Sequence, residues 1–129
     1  MSYHYKVKKK KANLSGKTTY KYYATSSSNG VISMDQAAKE IEDNTTLSKS
    51  DVISVVTALS SLIENKIRNG YSVKLDGLGT FSLSITSEGF VDAKKCIPTK
   101  VRPSKICFRA DKKLKEKVFE VTFEKDSID

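Results

Sequence analysis

The chain has 129 residues, of which 23 are Lys or Arg and 15 are Asp or Glu, giving a net charge of +8 and a pI near 9.4. That length fits one domain, with room for an appendage, and a modest core; the charge points to a polyanion, either nucleic acid or an anionic membrane. No apolar run approaches the ~20 residues that span a bilayer, and no signal-peptide core follows Met1, so a soluble, cytoplasmic protein with no membrane partner is expected.

The lone histidine, His4, lies far along the chain from Cys96 and Cys107. No metal spacing and no Cys–His nucleophile can be assembled from these residues. With no paired carboxylates and no phosphate-binding glycine loop either, the expectation is a binding protein, not an enzyme, with no cofactor and two free thiols. The charge is unevenly placed. Residues 1–23 hold seven lysines and no acid, residues 91–117 hold ten bases and three acids, and the stretch between them carries more acid than base.

In chain order, Tyr3, Tyr5 and Val7 alternate with His4, Lys6 and Lys8, and Thr18 to Ala24 repeats the theme with Tyr20 and Tyr22 on one face. Period two marks strands, and Asn13-Leu14-Ser15-Gly16 supplies turn chemistry between them, so the spacing predicts a hairpin. Lys8, Lys9, Lys10 and Lys11 are either a phosphate-binding run or a solvated part of that strand pair. Thr25 to Gly30 is polar and marks a boundary. Ser33 with Gln36, and Ser48 with Asp51, form capping boxes, which predict helices over Met34 to about Asp43 and Lys49 to Asn69. The second helix carries Val52, Val55, Val56, Leu59, Leu62, Ile63 and Ile67 at helical spacing. So broad a stripe implies burial on more than one side, with Val55, Val56, Leu59 and Ile63 as candidate core.

Asn69-Gly70 closes this helix. Val73 and Leu75 then form a strand, Asp76-Gly77-Leu78-Gly79 turns the chain, and Phe81, Leu83 and Ile85 form a second strand. The two glycines serve a backbone turn. A dinucleotide loop would need a third glycine and a following helix. About twenty residues separate this strand from a third, Lys105 to Arg109, and a connection of that length is functional or mobile. Asp111 is the candidate N-cap of a short basic helix containing Lys112, Lys113, Lys115 and Lys117. Val121 and Phe123 predict a final strand that joins the N-terminal hairpin.

A long helix, a glycine and the run Val73-Lys74-Leu75-Asp76-Gly77-Leu78-Gly79-Thr80-Phe81 resemble the HU/IHF family of bacterial nucleoid DNA-binding proteins. The resemblance covers roughly Ile32 to Val118, and the segments outside it are similar to the extended HU-related proteins of Bacteroides-type bacteria. It implies an α+β fold in which a helical hairpin packs on a small antiparallel sheet with a β-arm, here preceded by an N-terminal β-hairpin extension. The implied organisation is an extension and linker over residues 1–30, a DNA-binding domain over 31–120 with its arm at about 86–105, and a tail over 121–129. It also implies histone-like, sequence-tolerant binding of double-stranded DNA with bending or compaction, a nucleoid location, and a homodimer or, as also occurs in the family, a heterodimer.

Folded as a hairpin, the arm would reach ~30 Å at ~3.3 Å per residue. Candidate DNA contacts are Lys94, Lys95, Lys100, Arg102, Lys105 and Arg109, with Lys112 and Lys113 on the flank. The family's arm is Arg-rich and carries Asn-Pro at its tip, whereas this one is several residues shorter and lacks that pair. Pro98, after Ile97, is the nearest candidate for an apolar wedge, or else it shapes a loop together with Pro103. Two other readings of the charge are an RNA- or ribosome-associated module using Tyr3, Tyr5, Tyr20 and Tyr22, and an HU-fold protein-interaction domain that no longer bends DNA.

Overall fold

A computed structural model describes residues 2–128. It divides into two compact units, one formed by Met1–Val31 with Lys117–Asp129 and the other by Ile32–Glu116.

In the first unit, β1 (Ser2–Leu14) and β2 (Lys17–Ser26) form an antiparallel hairpin, paired from Leu14↔Lys17 to Tyr5↔Ser26. Ser15 and Gly16 make its turn, with φ of 54° and 74°. Two successive positive φ values match the right-handed twist of the flanking strands. The final strand, β6 (Thr122–Ile128), joins this hairpin as the sequence predicts, and it pairs in parallel with β1 to give the order β2-β1-β6. The junction is tied by side chains. The Tyr3 and Tyr5 rings meet Phe123 edge-on at 5.8 and 6.5 Å, the Tyr3 hydroxyl donates to Ser26 Oγ at 2.8 Å, and His4 Nδ1 lies 2.6 Å from Asp126 Oδ1.

The second unit begins with the helical hairpin α1 (Met34–Asn44) and α2 (Lys49–Arg68). Both predicted capping boxes form: Ser33 Oγ accepts from the Gln36 N–H at 3.2 Å and Ser48 Oγ from the Asp51 N–H at 3.1 Å. Such caps satisfy N–H groups that the helix leaves unpaired, each contributing about 1 kcal/mol. At the other end of α2, the Gly70 N–H bonds the Ile67 carbonyl and the Tyr71 N–H the Lys66 carbonyl, both at 3.0 Å, with Gly70 at φ 86°. This doubly bonded stop needs a left-handed residue at the glycine position.

Past that stop, β3 (Val73–Leu75), β4 (Gly79–Thr86) and β5 (Arg102–Ala110) form an antiparallel sheet in that order, with α2 lying against β3 and β4. Gly79 is buried, and a Cβ there would overlap the Arg109 carbonyl oxygen and the Phe108 ring. Asp111 fastens the turn before it. Its carboxylate accepts from the Gly77 N–H at 3.0 Å and the Lys112 N–H at 2.9 Å, while its own N–H donates to the Leu78 carbonyl. Asp111 thereby occupies the predicted cap position of α3 (Lys112–Phe119).

Two expectations need correction. The segment between β4 and β5 does not extend the sheet as a projecting β-arm: its ladder closes at Thr86↔Arg102, and the chain beyond forms two single 3-10 turns, Ala93–Lys95 and Pro98–Lys100. Local chemistry explains this. Asp92 accepts from the Lys94 N–H at 3.0 Å to start the first turn, and Pro98 opens the second, where its missing N–H costs nothing. The third strand also begins earlier than Lys105 and includes Pro103, opposite Ile85, next to a register shift between Ser84 and Ile85. β5 lies at the edge of its sheet, where a bulge accommodates a residue with no N–H to donate.

The core of a single chain is thin. Ala38, Val52 and Ile67 are its buried apolar residues among those described. Of the candidate core, Leu59 and Ile63 are half-buried, while Val55 and Val56 are exposed, as is Leu62. Leu83, Ile85, Ile106 and Phe108 of the sheet are exposed as well.

Candidate nucleic-acid interface

Alternation along β4 and β5 sorts the sheet into two faces. The pairs Phe81↔Phe108 and Leu83↔Ile106 share the apolar face, and the Phe81 and Phe108 ring centroids lie 4.9 Å apart. Thr80↔Arg109, Ser82↔Cys107 and Ser84↔Lys105 share the other, and Lys74 joins them opposite Thr80. The polar face therefore presents a row of hydroxyls bordered by Lys74, Lys105 and Arg109. At its end the chain turns through Asp111 into α3, so that Lys74, Arg109, Lys112 and Lys115 line one concavity of about 470 Å³ with Gly79, Thr80, Ala110 and Asp111.

The sequence-derived candidates thus fall into two groups. Lys105, Arg109 and Lys112 lie on or beside the polar face, and Lys113 follows on α3. Lys94 and Lys95 belong to the first 3-10 turn, Pro98 and Lys100 to the second, and Arg102 starts β5. Lys100 and Arg102 line a separate recess with Glu88 and Thr99. Pro98 lines a shallow, largely apolar hollow with Leu83, Ile85, Val101 and Pro103, which sets it against the sheet and not at the end of a hairpin. Lys74 was missed by sequence reasoning, and Lys115 was read on the basic last helix without being singled out as a contact. The signal for Lys74 was present, since a lysine alternating with Val73 and Leu75 stands on the polar face. Lys115 joins the site because the start of α3 lies beside Lys74 and Arg109.

Among the described residues, the ion pairs involve His4 with Glu124 and Asp126, Lys49 with Asp35, and Arg68 with Glu64. The cations of the polar face and of the 3-10 turns take part in none of them, so their charge is available to an external anion. The described residues hold no cluster of His, Cys, Asp and Glu fit for a metal, and no helix is long and apolar enough to cross a membrane.

Comparison with known proteins agrees with this architecture. The chain superposes over its whole length on a candidate bacterial DNA-binding protein from Bacteroides vulgatus, with a TM-score of 0.63 and 10% identity; it spans 50% of that protein's length. It also superposes on Anabaena HU from a cocrystal with DNA, with a TM-score of 0.50 and 20% identity, over 67% of this chain and 96% of that one. No curated protein matches the sequence. The family model describing an HU domain fused to a wHTH, Ig or glycine-rich motif matches residues 1–125, and on that match the chain belongs to the HU-HIG family.

Proposed function

We propose that this chain binds double-stranded DNA through charge, with little sequence preference, as a dimer located in the nucleoid. The observation that carries the reading is the convergence of Lys74, Lys105, Arg109, Lys112 and Lys115 around one polar sheet face and helix start. Phosphate contacts position a protein on a duplex without reading its bases, and lysines on a hydroxyl-bordered surface suit that task. Lys94, Lys95, Lys100 and Arg102 extend the contact through the 3-10 segment. Bending accompanies binding, and Pro98, after Ile97, is its candidate wedge.

Surface chemistry supports the dimer. Val55, Val56 and Leu62 of α2 and Leu83, Ile85, Ile106 and Phe108 of the sheet are too many exposed large apolar side chains for one small unit to leave in water. A second copy would cover them. Leu59→Asp places a charge in that layer at a cost of several kcal/mol and should abolish folding or dimerisation; an unchanged oligomer in light scattering would refute the assignment.

Duplex binding is tested by salt titration of affinity. Changing Lys94, Lys95, Lys100 and Arg102 together to Ala should lower the slope of log affinity against log salt by up to ~3.6 units, at about 0.9 per phosphate contact. Wild-type affinity and slope in that variant would remove the 3-10 segment from the interface. Lack of any duplex binding by the wild type would remove the reading altogether.

A further inference from the structure

The N-terminal hairpin is longer than the sheet it belongs to. Among the described residues, the ladder with β6 ends at Val7↔Ile128, whereas β1 continues to Leu14 with β2 as its partner. The seven residues from Lys8 to Leu14 thus form one side of a two-stranded ribbon, ~23 Å long at ~3.3 Å per residue. That length equals the rise of about seven base pairs at ~3.4 Å each.

Cross-strand register assigns its lysines to faces. Lys8↔Tyr23, Lys10↔Lys21 and Leu14↔Lys17 place Lys8, Lys10, Lys17 and Lys21 on one face. Lys9↔Tyr22 and Lys11↔Tyr20 place two lysines and two tyrosines on the other. All six lysines are exposed, and the ribbon from Lys8 to Tyr23 contains no acid. Holding four like charges on one face of a narrow ribbon is unfavourable without a counter-charge, and none is supplied from within the ribbon.

We infer that the face bearing Lys8, Lys10, Lys17 and Lys21 is a second duplex-binding surface, which lies along the sugar-phosphate backbone and reads no bases. Three observations favour a duplex backbone over other polyanions. The four-lysine face has no Arg, Asn or Gln, the side chains that recognise base edges bidentately. Single-strand binding depends on free aromatic faces for stacking, but two of the three exposed ribbon tyrosines are already faced by lysines: Lys9 Nζ lies 4.4 Å from the Tyr20 centroid and Lys10 Nζ 5.8 Å from that of Tyr23. The hairpin is also stiffened by its turn and cross-strand pairs, which matches a straight, regular partner better than a flexible one.

This inference rests on the duplex-binding reading above, and the experiment separates the two. Full-length K8Q/K10Q/K17Q/K21Q protein is titrated with salt against a random-sequence duplex and against a single strand of equal length. The slope for the duplex should fall by up to ~3.6 units, at about 0.9 per contact, while K9Q/K11Q keeps the wild-type slope and the fourfold Lys→Arg variant retains it too. Circular dichroism confirms that the Gln variant keeps its strands; should it unfold, the Arg and K9Q/K11Q variants still decide the matter, since a steeper loss in K9Q/K11Q would place the contact on the other face. If the wild type binds duplex and the fourfold Gln variant keeps its slope, the ribbon is not a contact and the inference alone fails. A loss confined to the single strand, or an equal loss per lysine from both faces, overturns it as well. Absence of duplex binding in the wild type defeats the earlier reading first.

Discussion

The two strand-to-strand connections of this protein, β1 to β2 and β4 to β5, begin from similar material and end differently. Both lie in lysine-rich stretches next to alternating residues. The first closes through two left-handed residues, Ser15 and Gly16, so its ladder stays in register to the tip. The second loses its ladder at Thr86↔Arg102 and folds into two 3-10 turns. A proline and a capping aspartate decide the outcome, because Pro98 cannot donate to a ladder and Asp92 offers the backbone a local alternative. A basic segment becomes a projecting ribbon only where its backbone hydrogen bonds have nowhere else to go.

The largest expected effect tests the base of the second connection. Gly79 sits at φ 156° against the Arg109 carbonyl and the Phe108 ring. Gly79→Val adds both strain and overlap, each worth roughly 1–3 kcal/mol, and should lower the melting temperature sharply. Gly77 is the control. Its φ of 84° is left-handed but nothing crowds it, so Gly77→Ala should cost only about 1–2 kcal/mol, the penalty of a left-handed Cβ. Equal losses at the two positions in thermal melts would show that close packing against β5 does not distinguish them.

A smaller change sharpens the first connection. Ser15 is the one described non-glycine residue with positive φ, at 54°, where Asn is better tolerated. Ser15→Asn should stabilise the hairpin by up to about 1 kcal/mol, visible as slower amide exchange in β1 and β2. Pro98→Ala probes the other side. If the proline wedges between bases, bending measured by energy transfer across a labelled duplex falls while affinity is kept; unchanged bending assigns Pro98 to shaping the 3-10 turn.

Legibility in the sequence followed the same division. Capping boxes, the Gly70 stop and the Gly77-Leu78-Gly79 turn depend on neighbours within a few residues, so Ser33, Ser48 and Asp111 could be placed before the fold was seen. The hairpin and its partnership with the strand of Phe123 could be read from alternation, although Val121 lies outside β6 and the parallel sense of that strand could not be read, since alternation carries no direction. The segment after Thr86 was misjudged because its length was matched to an arm while the local preferences of Asp92 and Pro98 were given too little weight. Lys115 was not singled out because its place beside Lys74 joins elements far apart in sequence. The ribbon's two lysine faces needed the register of β1 on β2, which a one-residue slip would invert.

The smallest effect concerns how the ribbon's base is held. His4 on β1 meets Asp126 of β6, with Glu124 at 3.9 Å. The hydrogen bond to Asp126, followed by the charge of that carboxylate, raises the His4 pKa above the ordinary 6.5. The same bond, with contributions from Ser27 and Lys6, holds Asp126 below its ordinary 3.8. The signs define a window. A raised histidine contributes stability in full below 6.5 and loses it as pH rises through its folded value, whereas a lowered carboxylate contributes above 3.8 and loses it as pH falls through its own. The attachment of β6 to β1 should therefore be firmest between those limits and loosen gradually as pH rises through the raised value of His4. Exposed pairs are worth little, so the readout must be local: exchange rates of β6 amides should rise across the histidine titration in the wild type and be flat with pH in His4→Gln, after correction for intrinsic exchange. A pH-dependent rise that survives the substitution would place the titrating group elsewhere than at the β1–β6 seam.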